Sequence, residues 1–136
     1  MQSHFELTDQ DFSQRFENCT LDPTLFSHEA HLRLAWIHIS RFGLERAEAN
    51  IQGQLRDFVG HLGATDKYHT TVTIAAIKAV NHFMQQSKSD CFGDFILEFP
   101  QLKTNFKGLI ACHYSFDIFD SAQAKIAFVE PDLVSF

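Results

Sequence analysis

The chain has 136 residues, 45% of them hydrophobic with fifteen Phe, a formal net charge of −6 and eight His; that length and apolar content predict one folded domain over 1–136 and exclude intrinsic disorder. Its eleven Lys and Arg are scattered rather than gathered into a stripe, which excludes the concentrated basic footprint that nucleic acid needs. No apolar run approaches a membrane span, and the start MQSHFELTDQDF lacks a basic stretch followed by an apolar core, so a cytoplasmic protein without a membrane partner is expected.

In chain order, Thr8 with Asp11 three residues on forms a helix start. Phe12 and Phe16 then give an apolar face to a helix near 9–18, and Pro23 breaks the chain. The next helix begins after Ser27 as N-cap and stops at Gly43, glycine being suited to a left-handed cap. A helix over 44–62 follows, in which Leu44, Ala47, Ile51, Leu55, Phe58 and Leu62 recur at helical spacing; Gly53 and Gly60 fall on its opposite face.

A third long helix is predicted from just after Asp66 to about 87, and Asp90 is read as the cap of a short helix through CFGDFILEF that Pro100 ends. A helix over about 105–114 places Phe106, Leu109, Ile110 and His113 on one stripe. Ser121 caps a last short helix, and VEPDLVSF reads as an irregular tail whose Glu130, Asp132 and Phe136 dock or swap. Val, Ile and Thr nowhere alternate long enough for a strand, although FVEPDLVSF and DFILEF come closest. The fold class is therefore all-α: a single-domain, bundle-like array of three long and several short helices.

Cys19, Cys91 and Cys112 are odd in number and far apart, which excludes a disulfide framework or a CxxC site and leaves them as small core residues. Histidine carries more information. In SHEAHLRLAWIHISRFG, a projection at helical pitch puts His28, His31, Ala35 and His38 on one band bordered by Leu32, Trp36 and Ile39, with Arg33 and Arg41 on the solvated side. In the helix after Asp66, His69 and Thr73 fall as i and i+4 neighbours inside the arc of Val72, Ala76, Ala79, Val80 and Phe83, whereas Thr70 and Thr71 lie outside it. Burying such polar groups unpaired costs on the order of 1–3 kcal/mol each, so each requires a hydrogen bond, a ligand or a metal.

Short connections imply antiparallel neighbours, which would bring His28, His31, His69, His113 and Tyr114 to one end of the core. There the helix dipole favours neutral imidazole, able to accept a proton or bind a metal. The expected site is a small-molecule pocket lined by His28, His31, Trp36, Tyr68, His69, Thr73, His113 and Tyr114. If the protein is an enzyme, a histidine serves as general base with Tyr114 or Thr73 orienting the bound group, but no spacing assigns a catalytic residue.

One alternative is a metal-dependent enzyme in which His28, His31 and His69 bind zinc or another divalent ion with an open position; the spacing is not HExxH. The other is a non-catalytic interaction protein, a homodimer or higher homo-oligomer joined through an apolar face. His38 is read as hydrogen-bonded or interfacial, and His4, His61 and His82 as surface residues.

The segments FSHEAHLRLAW (26–36) and YHTTVT (68–73), followed by HYS (113–115) and VEPDL (129–133), resemble a family of small uncharacterised bacterial helical proteins with HxxHLRxAW and YHxTxT motifs, some of them similar to integron gene cassette proteins. The resemblance covers most of the chain. It implies an all-helical, oligomeric protein with a pocket, and points to His28, His31, Trp36, Tyr68, His69, Thr73 and Tyr114; it implies no activity.

Overall fold

Helical periodicity and caps are realised almost throughout the computed structural model, which describes residues 3–136. The helices are α1 Asp9–Glu17, α2 His28–Phe42, α3 Leu44–His61, α4 Thr70–Met84, α5 Phe92–Glu98, α6 Gln101–Thr104, α7 Phe106–Ala111 and α8 Ala122–Ile126. No strand occurs among the described residues: the protein is all-α, and α2, α3 and α4, of 15, 18 and 15 residues, are its long helices. No helix among them is long and apolar enough to cross a membrane. DFILEF lies in α5 up to Glu98, with Phe99 as its C-cap, and the last residues are irregular. The chain falls into two compact units, Met1–Tyr68 and His69–Phe136.

In the first unit, Thr8 caps α1 by accepting from the Asp11 amide, and Ser27 caps α2 by accepting from that of Ala30. Gly43 alone joins α2 to α3 at φ 83° and ψ 169°, a backbone region open essentially to glycine, so the turn is tighter than the left-handed cap predicted there. The apolar faces of α1, α2 and α3 meet around Phe12, Phe16, Leu32, Leu34 and Ile51, all fully buried. Phe16, Phe26 and Phe58 form a ring cluster with centroids 4.8–5.4 Å apart, worth about 0.5–1.5 kcal/mol per pair beyond the area they bury.

Two surface assignments change in this unit. His4 is 3% and Arg33 5% exposed, because the segment before α1 folds over the flank of α2. Arg33 Nη1 donates to the His4 carbonyl at 2.6 Å, and Nη2 donates to the Leu7 carbonyl at 2.8 Å and to Asp9 Oδ1 at 2.9 Å. The guanidinium also sits 4.8 Å from the Phe12 ring centroid. A helical projection sees only its own helix, so it cannot register a distant segment that covers the polar flank.

In the second unit, α4 begins later than predicted. Thr65–Lys67 form a 3-10 turn, Tyr68 and His69 are extended, and the helix starts at Thr70. Thr70 and Thr71, expected outside the apolar arc, are 5% and 0% exposed. The core gathers Ile77, Val80, Phe92, Phe95, Leu102, Phe106, Ile110 and Ile118. Asp90 does not cap α5: the N-cap residue is Cys91, which makes no side-chain cap bond. Ser121 does cap α8, accepting from the Ala124 amide. Cys91 and Cys112 are exposed and Cys19 is half-buried at φ 59°, so none is the core residue expected.

Candidate functional site

The eight side chains expected to line a pocket divide between the units: His28, His31, Trp36 and Tyr68 in the first, His69, Thr73, His113 and Tyr114 in the second. In the second they are bonded to backbone. His69 is the N-cap of α4, its Nδ1 accepting from the Val72 amide at 3.1 Å and its Nε2–H donating to the Ile118 carbonyl at 2.8 Å. Both ring nitrogens of a neutral imidazole are thereby used. Thr73 Oγ1 donates to the His69 carbonyl at 2.7 Å.

The other two hold the tail. His113 Nδ1 donates to the Val134 carbonyl at 2.6 Å, and its ring stacks on Phe136 at 4.1 Å. The Tyr114 hydroxyl donates to the Val129 carbonyl at 2.7 Å. Burial, with the nearby charges of Glu130 and Asp132, pushes that phenol up to about 12, which keeps it protonated and donating. Asp132 docks on Ser115, accepting from its amide at 2.9 Å and from its hydroxyl.

In the first unit the supply is uneven: His4 Nε2 pairs with Glu29 Oε1 at 2.8 Å. His28 is exposed. His31 Nε2, His38 Nδ1 and the Tyr68 hydroxyl are enclosed without a hydrogen-bond partner. Burial pulls both imidazoles down to about 4, helped by His28 beside His31 and by Arg41 beside His38, so both are neutral at physiological pH. Tyr68 instead receives the Arg56 guanidinium at 4.9 Å from its ring centroid. Among the described residues, no group of three or more His, Cys, Asp or Glu side chains is placed to hold a metal ion.

A cavity of about 420 Å³ opens in the second unit, where the chain leaves α7 and turns through residues 114–119. Its floor is Ile110, Tyr114 and Ile118, which are 1%, 4% and 2% exposed, and Phe116 and Phe119 form its walls. Tyr114 and Phe116 meet edge to face at 5.8 Å. Lys107 stands at the rim with Nζ 5.1 Å from the Phe119 centroid. Asp117 also lines the cavity, its Oδ1 accepting from the Phe119 amide at 2.9 Å. A smaller cavity of about 140 Å³ lies between α4 and α7, with His82, His113 and Phe136 among its lining groups.

Tyr114 is thus the side chain shared by the expected site and the larger cavity. Lys107, Phe116 and Phe119 were not anticipated. Lys107, Ile110, Ala111 and Tyr114 are spaced i, i+3, i+4 and i+7, a stripe the sequence displays; SFDIFD carries no helical or strand period that would aim its two Phe rings. No family model, curated protein or solved structure matches this chain.

Proposed function

We propose that the protein binds a small, largely apolar molecule with an anionic end, held in the cavity of α7 and residues 114–119. The observation carrying this reading is the combination of about 420 Å³ of space, an aromatic wall and one lysine at the rim. Ligand pockets commonly span roughly 300–1,000 Å³ and combine apolar walls with a few polar groups that fix orientation. Phe116 is 41% exposed, so a bound aromatic ring would cover apolar surface now in water, at about 25 cal/mol per Å². Lys107 would meet the carboxylate of the ligand, the ring beneath it keeping the ammonium over the opening.

The test is calorimetric titration with benzoate and with benzamide, its neutral isostere. Benzoate should bind more tightly, Lys107→Gln should erase that preference, and Phe116→Ala should weaken both by about tenfold or less, in keeping with the loss of one aromatic contact. Binding that neither substitution alters would place the ligand elsewhere.

A further inference from the structure

The aromatic cavity is built on a segment with no secondary structure of its own. Residues 113–117, between α7 and the 3-10 turn Ile118–Asp120, belong to no helix, so no regular ladder of backbone hydrogen bonds fixes their path. Tyr114, Ser115, Phe116 and Asp117 nevertheless line the cavity. What fixes the first of them is the tail, residues 127–136.

The tail grips His113, Tyr114 and Ser115 in succession. The His113 carbonyl accepts from the Leu133 amide at 3.0 Å, and its ring donates to the Val134 carbonyl. Tyr114 Oη donates to the Val129 carbonyl, and the Ser115 amide and hydroxyl both donate to the Asp132 carboxylate. The start of the tail is tied to α4, where Thr71 donates to the Ala127 carbonyl and accepts from the Val129 amide. It is a strap between α4 and the floor of the cavity. Among the described residues, none beyond Phe119 lines that cavity, so the strap braces it without filling it. Phe136, stacked on His113, lines the smaller cavity instead. Docking therefore leaves the aromatic cavity open while holding its floor, and release would strip Tyr114 and Ser115 of these partners.

We propose that docking of the tail and occupancy of the aromatic cavity are coupled: the docked tail preorganises the cavity for its ligand, and a bound ligand in turn fastens the tail. The coupling rests on the ligand reading given above for the cavity and adds its regulation. A site already held in its binding shape loses less freedom when the ligand arrives. A ligand that favours one of two states shifts the equilibrium towards it by the ratio of its affinities for them. Asp132 is the fastening point, since this exposed carboxylate takes both donors of Ser115, a residue of the cavity wall. The Ser115 hydroxyl and amide hold that carboxyl below its usual range, so it is charged and engaged at neutral pH.

The experiment compares the full chain with the double variant His113→Ala/Asp132→Ala, which cuts the strap at residues outside the cavity lining, and with Glu130→Ala as a charge control. The double variant should keep the helical circular dichroism, exchange its Leu133 amide faster, and bind benzoate about tenfold more weakly by calorimetry. Charge alone predicts the opposite sign, because deleting a carboxylate near the cavity favours an anion; Glu130→Ala should bind benzoate at least as tightly as the unaltered chain. Reciprocally, saturating benzoate should slow Leu133 amide exchange in the unaltered chain by a similar factor. Benzoate affinity equal in the double variant and the unaltered chain, or Leu133 exchange that neither the variant nor benzoate changes, overturns the coupling and leaves the cavity reading standing. An unaltered chain that binds no benzoate overturns the cavity reading, and the coupling falls with it.

Discussion

In the second unit, His69, Thr70, Thr71, His113 and Tyr114 each end on a backbone group between residues 118 and 134. In the first, His31 Nε2, His38 Nδ1 and the Tyr68 hydroxyl end on no group at all. The difference follows from what each unit folds around. Long helices satisfy their own backbone, so buried side-chain polar atoms of α2 and α3 are left over. An irregular tail satisfies little of its own backbone, so its carbonyls and amides must be met by side chains. His and Tyr side chains therefore brace the tail of the second unit, whereas His31, His38 and Tyr68 of the first each keep an enclosed polar atom without a partner.

The sharpest break of this contrast is at Thr71, which is fully buried, donates to the Ala127 carbonyl at 2.9 Å and accepts from the Val129 amide at 3.1 Å. Thr71→Val keeps the shape and strands both backbone groups, so urea denaturation should show a loss of roughly 2–5 kcal/mol. A loss below about 1 kcal/mol would mean that the tail is not held in this way.

His69→Ala comes next. It deletes the cap of α4 and the bond to Ile118 together, for about 2–3 kcal/mol, and His69→Asn, which can still accept from the Val72 amide, should restore about 1 kcal/mol of that. Equal losses in the two variants would show that the cap contributes nothing.

How much of this was legible depends on whether the cause is local. Thr8, Ser27, Ser121 and Gly43 announce their helix ends because a cap acts within three or four residues. His69 was legible as a buried polar residue needing a partner, but its partner Ile118 lies 49 residues away, and no periodicity reports that distance. A helical projection puts Arg33 on the solvated side, where only an acidic partner could meet it, and Thr71 outside the apolar arc, because it cannot register that residues 4–9 and 126–129 return to cover those flanks. The aromatic cavity was half visible, through the Lys107 to Tyr114 spacing; its Phe116 and Phe119 walls are set by a loop path that leaves no pattern.

Acid should separate the units further. An imidazole held near 4 in the folded chain but near its ordinary 6.5 when unfolded binds more protons unfolded throughout that window. Stability is therefore full above about pH 6.5 and falls as the pH drops towards 4, by about 1.4 kcal/mol per pH unit for each such histidine in mid-window. Denaturation curves collected between pH 8 and 4.5 should show the decline, and imidazole carbon shifts should assign it to His31 and His38. If both rings titrate near 6.5 in the folded protein, they are hydrated and the contrast between the units disappears.

The smallest effect is the most discriminating, because its sign opposes that at His69. His31→Leu replaces a half-buried ring whose enclosed Nε2 has no partner by an apolar side chain of similar volume. Removing an unsatisfied polar atom strands nothing else, so at pH 8 stability should change by no more than about 1 kcal/mol in either direction. At pH 5 the variant should be the more stable of the two, since it no longer has a proton to exclude. A loss of 2–3 kcal/mol at pH 8, the scale predicted for His69→Ala, would show that His31 is as firmly bonded as its counterpart in the other unit.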